Sequence, residues 1–195
     1  LISIPLGVMT AIYLAEIASA RMREIAKPVV ELLAALPSVV IGFFGMVVMA
    51  PFLQDYLEIP TGLNLFNASL MLAFMSVPTI CSISEDAIYS VPRELKEASL
   101  ALGATHWETI YRVIFPASLS GISTGVILGM SRAVGETMVV LMVAGGAALV
   151  PTSIFKPVRP MPASIAAEMA EAPFRSDHYY ALFAISGAAS VLAFC

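Results

Sequence analysis

Long stretches without a single charge dominate this chain and leave it few ways to fold. No Asp, Glu, Lys or Arg occurs from Leu1 to Ala15, Ile59 to Ser84, Val113 to Ser131, Thr137 to Phe155 or Tyr179 to Cys195, and Pro28 to Phe52 holds one acid, Glu31. A helix needs about 20 apolar residues to cross a hydrocarbon core of roughly 30 Å, and several of these stretches are long enough. Charged residues make up 12% of the 195 and hydrophobic residues 59%, about half the charge of a soluble domain. An ordinary soluble enzyme is excluded, and an all-α, multi-pass membrane protein is expected.

Five spans are expected: Leu1 to Ala18, Pro28 to Phe52, Leu63 to Ser84, about Ser118 to Ala144, and His178 to Cys195. The outer two read as truncated, so the chain is expected to be a fragment of a longer protein, with residues 1–195 forming one domain. Arg21, Arg23 and Lys27 follow the first span, and Arg93, Lys96 and Arg112 follow the third. Basic residues concentrate in cytoplasmic connections, which puts these two connections on the cytoplasmic side. The connection from Gly145 to Asp177 is then external, and a short helix over Ala163 to Ala172 is expected in it between Pro162 and Pro173. Kinks are expected near Pro37 and Pro78, where lost backbone hydrogen bonds can be made good by neighbouring helices.

Other classes fall away on composition. A net charge of −4 without dense basic clusters disfavours nucleic acid as a partner. Two cysteines, Cys81 and Cys195, build neither a disulfide framework nor a CxxC site. His106 and His178 have no second His or Cys at ligand spacing, and the methionines form no MxM or MxxM cluster with a second soft ligand, so no metal role is expected. Glu31 favours the dipole of a first helical turn.

The segment from Ser84 to Phe115 is longer than a connection between two spans requires. Pro92 suits a first turn, Arg93 to Leu102 suits a helix, and Gly103 suits the left-handed position that ends it. Thr105 and Glu108 have capping-box spacing, predicting a second short helix from His106 to about Arg112. Apolar Leu95, Ala98, Leu102 and Trp107, mixed with Glu94, Lys96, Glu97 and Glu108, describe a docking surface outside the membrane. The chain has no GxxxxGK[ST], so it holds no P-loop for a triphosphate.

Within the fourth span lie Arg132 and Glu136. Ionisable residues at such depth are costly enough to suggest function. Gly121, Gly125 and Gly129 form a GxxxGxxxG close-packing stripe. At 100° per residue along one unbroken helix, the three glycines, Arg132 and Glu136 share a face. Mutual neutralisation of Arg132 and Glu136 is one reading. The other is recognition of an oxyanion by the planar guanidinium, with Glu136 accepting from a protonated phosphate oxygen.

Two motifs resemble known families. Glu97-Ala98-Ser99, three residues, Gly103, nine residues and Val113-Ile114-Phe115-Pro116 resembles the EAA loop of ATP-binding-cassette importer permeases, with Ser99 in place of the second alanine and Phe115 in place of leucine. Arg132-Ala133-Val134-Gly135-Glu136-Thr137 resembles the RAxGET signature of permeases of the bacterial phosphate-specific transport (Pst) system. The continuation Met138-Val139-Val140, with Gly145-Gly146, is similar to the PstC rather than the PstA type. The resemblance implies a type I (MetI-like) helical bundle in a bacterial or archaeal inner membrane. It implies that residues 84–115 form a coupling loop, with Glu97, Ala98, Leu102, Gly103 and Trp107 meeting an ATP-binding subunit. It further implies that Arg132 and Glu136 act in translocation of inorganic phosphate. Implied partners are a PstA-like permease, two ATP-binding subunits that carry ATP and Mg, and an extracytoplasmic phosphate-binding protein, with no cofactor in this chain. The alternatives are a permease for another oxyanion, molybdate or sulfate, and a proton-coupled secondary transporter.

Overall fold

The computed structural model describes residues 2–169 and 171–194; the expected span ends at Leu1 and Cys195, and Ala170 of the expected external helix, lie outside them. Nine helical elements follow in order among the described residues: α1 (Ser3–Ile17), α2 (Ala20–Ala35), α3 (Ser38–Leu57), α4 (Leu65–Tyr89), α5 (Arg93–Ala101), α6 (His106–Val134), α7 (Met138–Val143), α8 (Met161–Glu168) and α9 (Asp177–Phe194). No strand is formed among them; one isolated parallel bridge joins Gly145 and Val158. Helices α3, α4 and α6 are each long and apolar enough to cross a membrane, and α1 is a shorter apolar helix.

Several expected boundaries move. The second span does not start at Pro28, because the chain breaks at Pro37, whose φ of −60° and ψ of 134° make it the N-cap of α3; the residue before a proline resists helical backbone. What precedes the break is α2, an amphipathic helix with no fully buried residue. The third span runs past Ser84 to Tyr89, because the acids that seemed to end it, Glu85 and Asp86, are met by Arg23 and Lys27. The short helix expected to stop near Arg112 instead continues into the fourth span. At the other end that span stops at Val134 rather than Ala144.

Helix α6 passes through Pro116. A proline ring clashes with the carbonyl four residues earlier and lacks the N–H to bond it. Here Ile110–Ile114 forms a π-helical turn, closed by the Phe115 amide bonding to the Ile110 carbonyl. The extra residue in that turn eases the carbonyls away from the ring. The same device precedes Pro51: Gly45–Met49 is a π turn closed by Ala50 N–H to the Gly45 carbonyl. Pro78 lies inside α4, which continues on both sides of it.

The residues form two compact units, 1–35 with 74–130, and 36–73 with 131–195. The first has its core where α1, α4 and α6 meet: Ala11 and Leu14, Cys81 and Ile88, and Ile110, Ile114 and Ile122 are all buried. In the second, α7 is covered by α3, with Val139 and Val143 fully buried. A Cβ on Gly42 would lie 2.9 Å from the Met142 sulfur and 3.2 Å from the Val139 Cα, so only glycine lets α3 approach this closely. Buried Asn67 donates from Nδ2 to the carbonyls of Gly45 and Gly62, each at 3.0 Å, while its own N–H bonds to Asn64 Oδ1 at 2.9 Å. Residues 144–158 are pinned by backbone bonds from Val158 to Ala144 (2.8 Å) and from Phe66 to Ile154 (2.9 Å). The short helix expected over Ala163 to Ala172 is α8, which starts earlier at Met161, with Pro162 inside its first turn, and ends at Glu168, a residue that meets both Arg159 and His178.

Candidate functional site

The helix pair after α4 is built by local chemistry. Helix α5 ends in a Schellman motif: Gly103, at φ +84°, donates to the Leu100 carbonyl at 3.0 Å, and Ala104 donates to that of Ser99 at 3.3 Å. These bonds satisfy carbonyls that a helix end would otherwise leave open. Two residues on, Thr105 starts α6 with a complete capping box. Its Oγ1 accepts from the Glu108 amide at 3.3 Å, and Glu108 Oε2 accepts from the Thr105 amide at 2.8 Å.

Sequence reading missed how this elbow is fixed. Ser99, where the EAA pattern has alanine, shares a 2.9 Å hydroxyl hydrogen bond with buried Thr109, joining α5 to α6. Lys96 pairs with Glu16 at the end of α1, eighty positions away, so no local pattern signals it. Around the elbow the candidate docking residues are uncovered. Leu102 is 90% exposed and Trp107 66%, and Glu97, Ala98 and Gly103 are exposed as well. A Cβ on Gly103 would meet nothing within 4 Å, so the glycine is required there for its backbone alone.

The packing glycines lie along α4. A Cβ on Gly121 would come 2.4 Å from Ala87 Cβ, one on Gly125 3.1 Å from Ser84 Oγ, and one on Gly129 2.4 Å from Ile80 Cγ1. Ile80, Ser84 and Ala87 are spaced at helical intervals on α4, so α6 and α4 are in near-backbone contact along two turns.

Arg132 is half-buried in the last turn of α6. Glu136 is not one helical turn further along, as an unbroken span would place it. Gly135, Glu136 and Thr137 form a break, and Glu136 turns its carboxylate to the next helix. Its Oε1 accepts from the amides of Met138 (3.1 Å) and Val139 (3.2 Å), and the residue is only 9% exposed. Apolar surroundings make an unbonded amide cost about 2 kcal/mol or more, so an interrupted span needs such an acceptor. The helical-wheel arithmetic missed the break because Ala133 to Ala144 is apolar enough to read as continuous helix.

The family of binding-protein-dependent transport system inner membrane components matches residues 3–194. The chain belongs to that family. As a binding-protein-dependent permease component it shares its fold with the MetNI methionine ABC transporter, described in inward-facing conformations: the TM-score is 0.66 at 20% identity, covering 98% of this chain and 88% of that one. Among curated relatives, the probable ABC transporter permease YqgH of Bacillus subtilis is 45% identical over 80% of this chain and 50% of its own length. The phosphate transport system permease PstC of Mesorhizobium japonicum is 38% identical over 88% of this chain and 58% of its own. The chain thus spans half to three fifths of the length of these relatives. The MetI-type helical fold that the family resemblance implied is the one observed, in an inner-membrane component of a binding-protein-dependent transport system.

Proposed function

We propose that the chain is the PstC-like permease part of an ATP-driven importer of inorganic phosphate. The observation that carries this reading is the RAVGET segment at the end of α6, in a chain similar to permeases named for phosphate transport across 88% of its residues. Arg132 is the phosphate contact: a guanidinium offers an oxyanion a planar pair of donors, which an ammonium cannot reproduce. Glu136 belongs to the same translocation segment. ATP and Mg are bound and ATP is hydrolysed by two separate subunits, which dock on Glu97, Ala98, Leu102, Gly103 and Trp107. An extracytoplasmic phosphate-binding protein delivers the anion, and a PstA-like permease completes the membrane core.

The test is uptake of radiolabelled phosphate by proteoliposomes holding the full-length protein and its neighbouring subunits, normalised to assembled complex. Arg132→Gln should abolish uptake with assembly intact, and Arg132→Lys should remain strongly impaired because charge without the fork does not suffice. Preference for sulfate or molybdate, or uptake that persists without the ATP-binding subunits, overturns the reading.

A further inference from the structure

We propose that Lys96 and Glu16 are positioning residues that link the docking helix α5 to α1, so that displacement of α5 by the ATP-binding subunit is passed to α1 as well as to α6. This rests on the reading of α5 and the start of α6 as the surface on which that subunit docks. Little holds α5 in place. None of its nine residues is buried, and only Lys96 and Ser99 are even half-buried. Three positions apart, they lie on one side of the helix, and from each a side-chain bond leads to a different membrane helix. Ser99 reaches Thr109 of α6 at 2.9 Å, and Lys96 Nζ donates to Glu16 Oε1 in the last turn of α1. Glu97, Ala98 and, just past the helix, Leu102 are exposed. The face open to a partner and the face anchored to the bundle are thus separate, and Lys96, which the sequence pattern grouped with the docking residues, belongs to the anchor.

Glu16 is an unfavourable residue where it stands. A helix carries partial negative charge at its C-terminal end, so a carboxylate there is repelled. Its side chain is only 7% exposed, which removes the water that would otherwise solvate the charge. The Lys96 ammonium offsets both effects, and it can do so only while α5 keeps its place beside α1. The turn that carries Glu16 is itself irregular: Tyr13–Ile17 is a π turn, closed by the Ala18 amide on the Tyr13 carbonyl at 2.8 Å, and such turns are frequent at functional sites. Further along, α1 is seated in the core of its unit, with Ala11 and Leu14 buried and a Cβ on Gly7 only 2.7 Å from Ile80 Cγ2 of α4. A pull on Glu16 therefore moves a helix packed against α4, not a free end. Thr109, the partner of Ser99, is buried likewise, so α5 acts on two rods of one unit through two polar joints.

The experiment uses proteoliposomes holding the full-length protein and its neighbouring subunits, with phosphate uptake and ATP hydrolysis measured on the same vesicles per assembled complex. In Glu16→Gln and in Lys96→Met, phosphate carried per ATP hydrolysed should fall about tenfold, within the range of coupling between distant sites. The exchanged pair, Glu16→Lys with Lys96→Glu, should recover most of it. A structural role alone predicts a lower yield of complex with an unchanged ratio; that result overturns the proposal, as does an exchanged pair that assembles but stays uncoupled. Spin labels at Met9→Cys and Leu100→Cys, both exposed positions, in an otherwise cysteine-free protein give a second readout that leaves the pair itself unchanged. Their separation should stay constant when ATP binds. A separation that changes shows α1 and α5 moving independently, and overturns the link even where the single variants fail to assemble. The docking reading is checked apart from this, by a cross-link from Leu102→Cys to the ATP-binding subunit. Absence of that cross-link sinks the docking reading, whereas a cross-link with unchanged ratios in the single variants sinks the link to α1 alone.

Discussion

Arg23 and Glu85, sixty-two positions apart in the chain, meet with Nη2 and Oε1 2.9 Å apart, and Glu85 is 1% exposed. Lys27 approaches the other oxygen at 3.5 Å, and the Arg23 guanidinium lies 4.2 Å from the centre of the Tyr89 ring. A carboxylate taken out of water is tolerable only with such partners. Glu85→Ala should therefore lower the stability of the complex by about 3 kcal/mol, seen as a lower midpoint in thermal melts. The paired change Glu85→Leu with Arg23→Leu should recover most of it. Equal midpoints for Glu85→Ala and the unsubstituted protein would show that the pair carries no stability.

Lys27 reports on the same contact. Its pKa is raised above 10.5, first by the hydrogen bond with Asp86, at 2.7 Å, with burial opposing and the charge of Glu85 assisting. A group whose pKa is higher folded than unfolded adds stability that is complete below the unfolded value and fades as pH rises through the folded one. Asp86→Asn should accordingly lower the melting midpoint at neutral pH, and the difference should shrink as pH climbs beyond 10.5. A difference that does not change with pH in that range contradicts the assignment.

At Gly103, space and backbone make different demands. Nothing blocks a side chain there, but φ is +84°, where a β-branched residue is strongly disfavoured. Gly103→Val should cost about 2 kcal/mol locally and tilt α5 against α6, lowering phosphate-stimulated ATP hydrolysis in the assembled complex. Gly103→Asn should be nearly silent, since Asn tolerates this conformation. Similar hydrolysis rates for the Val and Asn variants would rule out a need for the left-handed turn.

The three packing glycines should not be equivalent. Alanine at 121 or 129 would bring carbon to 2.4 Å of Ala87 or Ile80, whereas at 125 the nearest atom is 3.1 Å away. Gly129→Ala and Gly121→Ala should each cost about 1–3 kcal/mol through overpacking, with Gly125→Ala the mildest. Gly125→Leu should block assembly while permitting membrane insertion. Melting midpoints and yields of purified complex rank the series; equal effects at all three sites would contradict the contacts.

Features encoded within a few residues could be read from the sequence. Pro92, Gly103, Thr105 and Glu108 specify a start, a turn and a second start through local dihedrals and caps, and the elbow forms as its spacing predicts. The apolar runs likewise announce α1, α3, α4 and α6. What escaped depends on partners far along the chain or on compensation. Nothing near Glu85 says that Arg23 and Lys27 will neutralise it and let α4 continue. Pro116 ends a helix by the usual rule, and only the π turn before it reverses that. Gly135 to Thr137 breaks the span through a carboxylate that turns forward, which apolar periodicity does not register.

The π turn at Ile110–Ile114 sets the angular phase of α6. An inserted residue advances everything beyond it by about 100° relative to an uninterrupted α-helix. Trp107 and the Thr105 cap lie before it, and Gly121, Gly125 and Gly129 after it, on one 29-residue rod. The azimuth between the exposed Trp107 and the face that grips α4 is thus defined by one surplus amino acid. Deleting a residue from this turn would leave the glycine ladder seated and swing the indole a quarter-turn aside, so the rod behaves as a keyed shaft whose two ends turn in step.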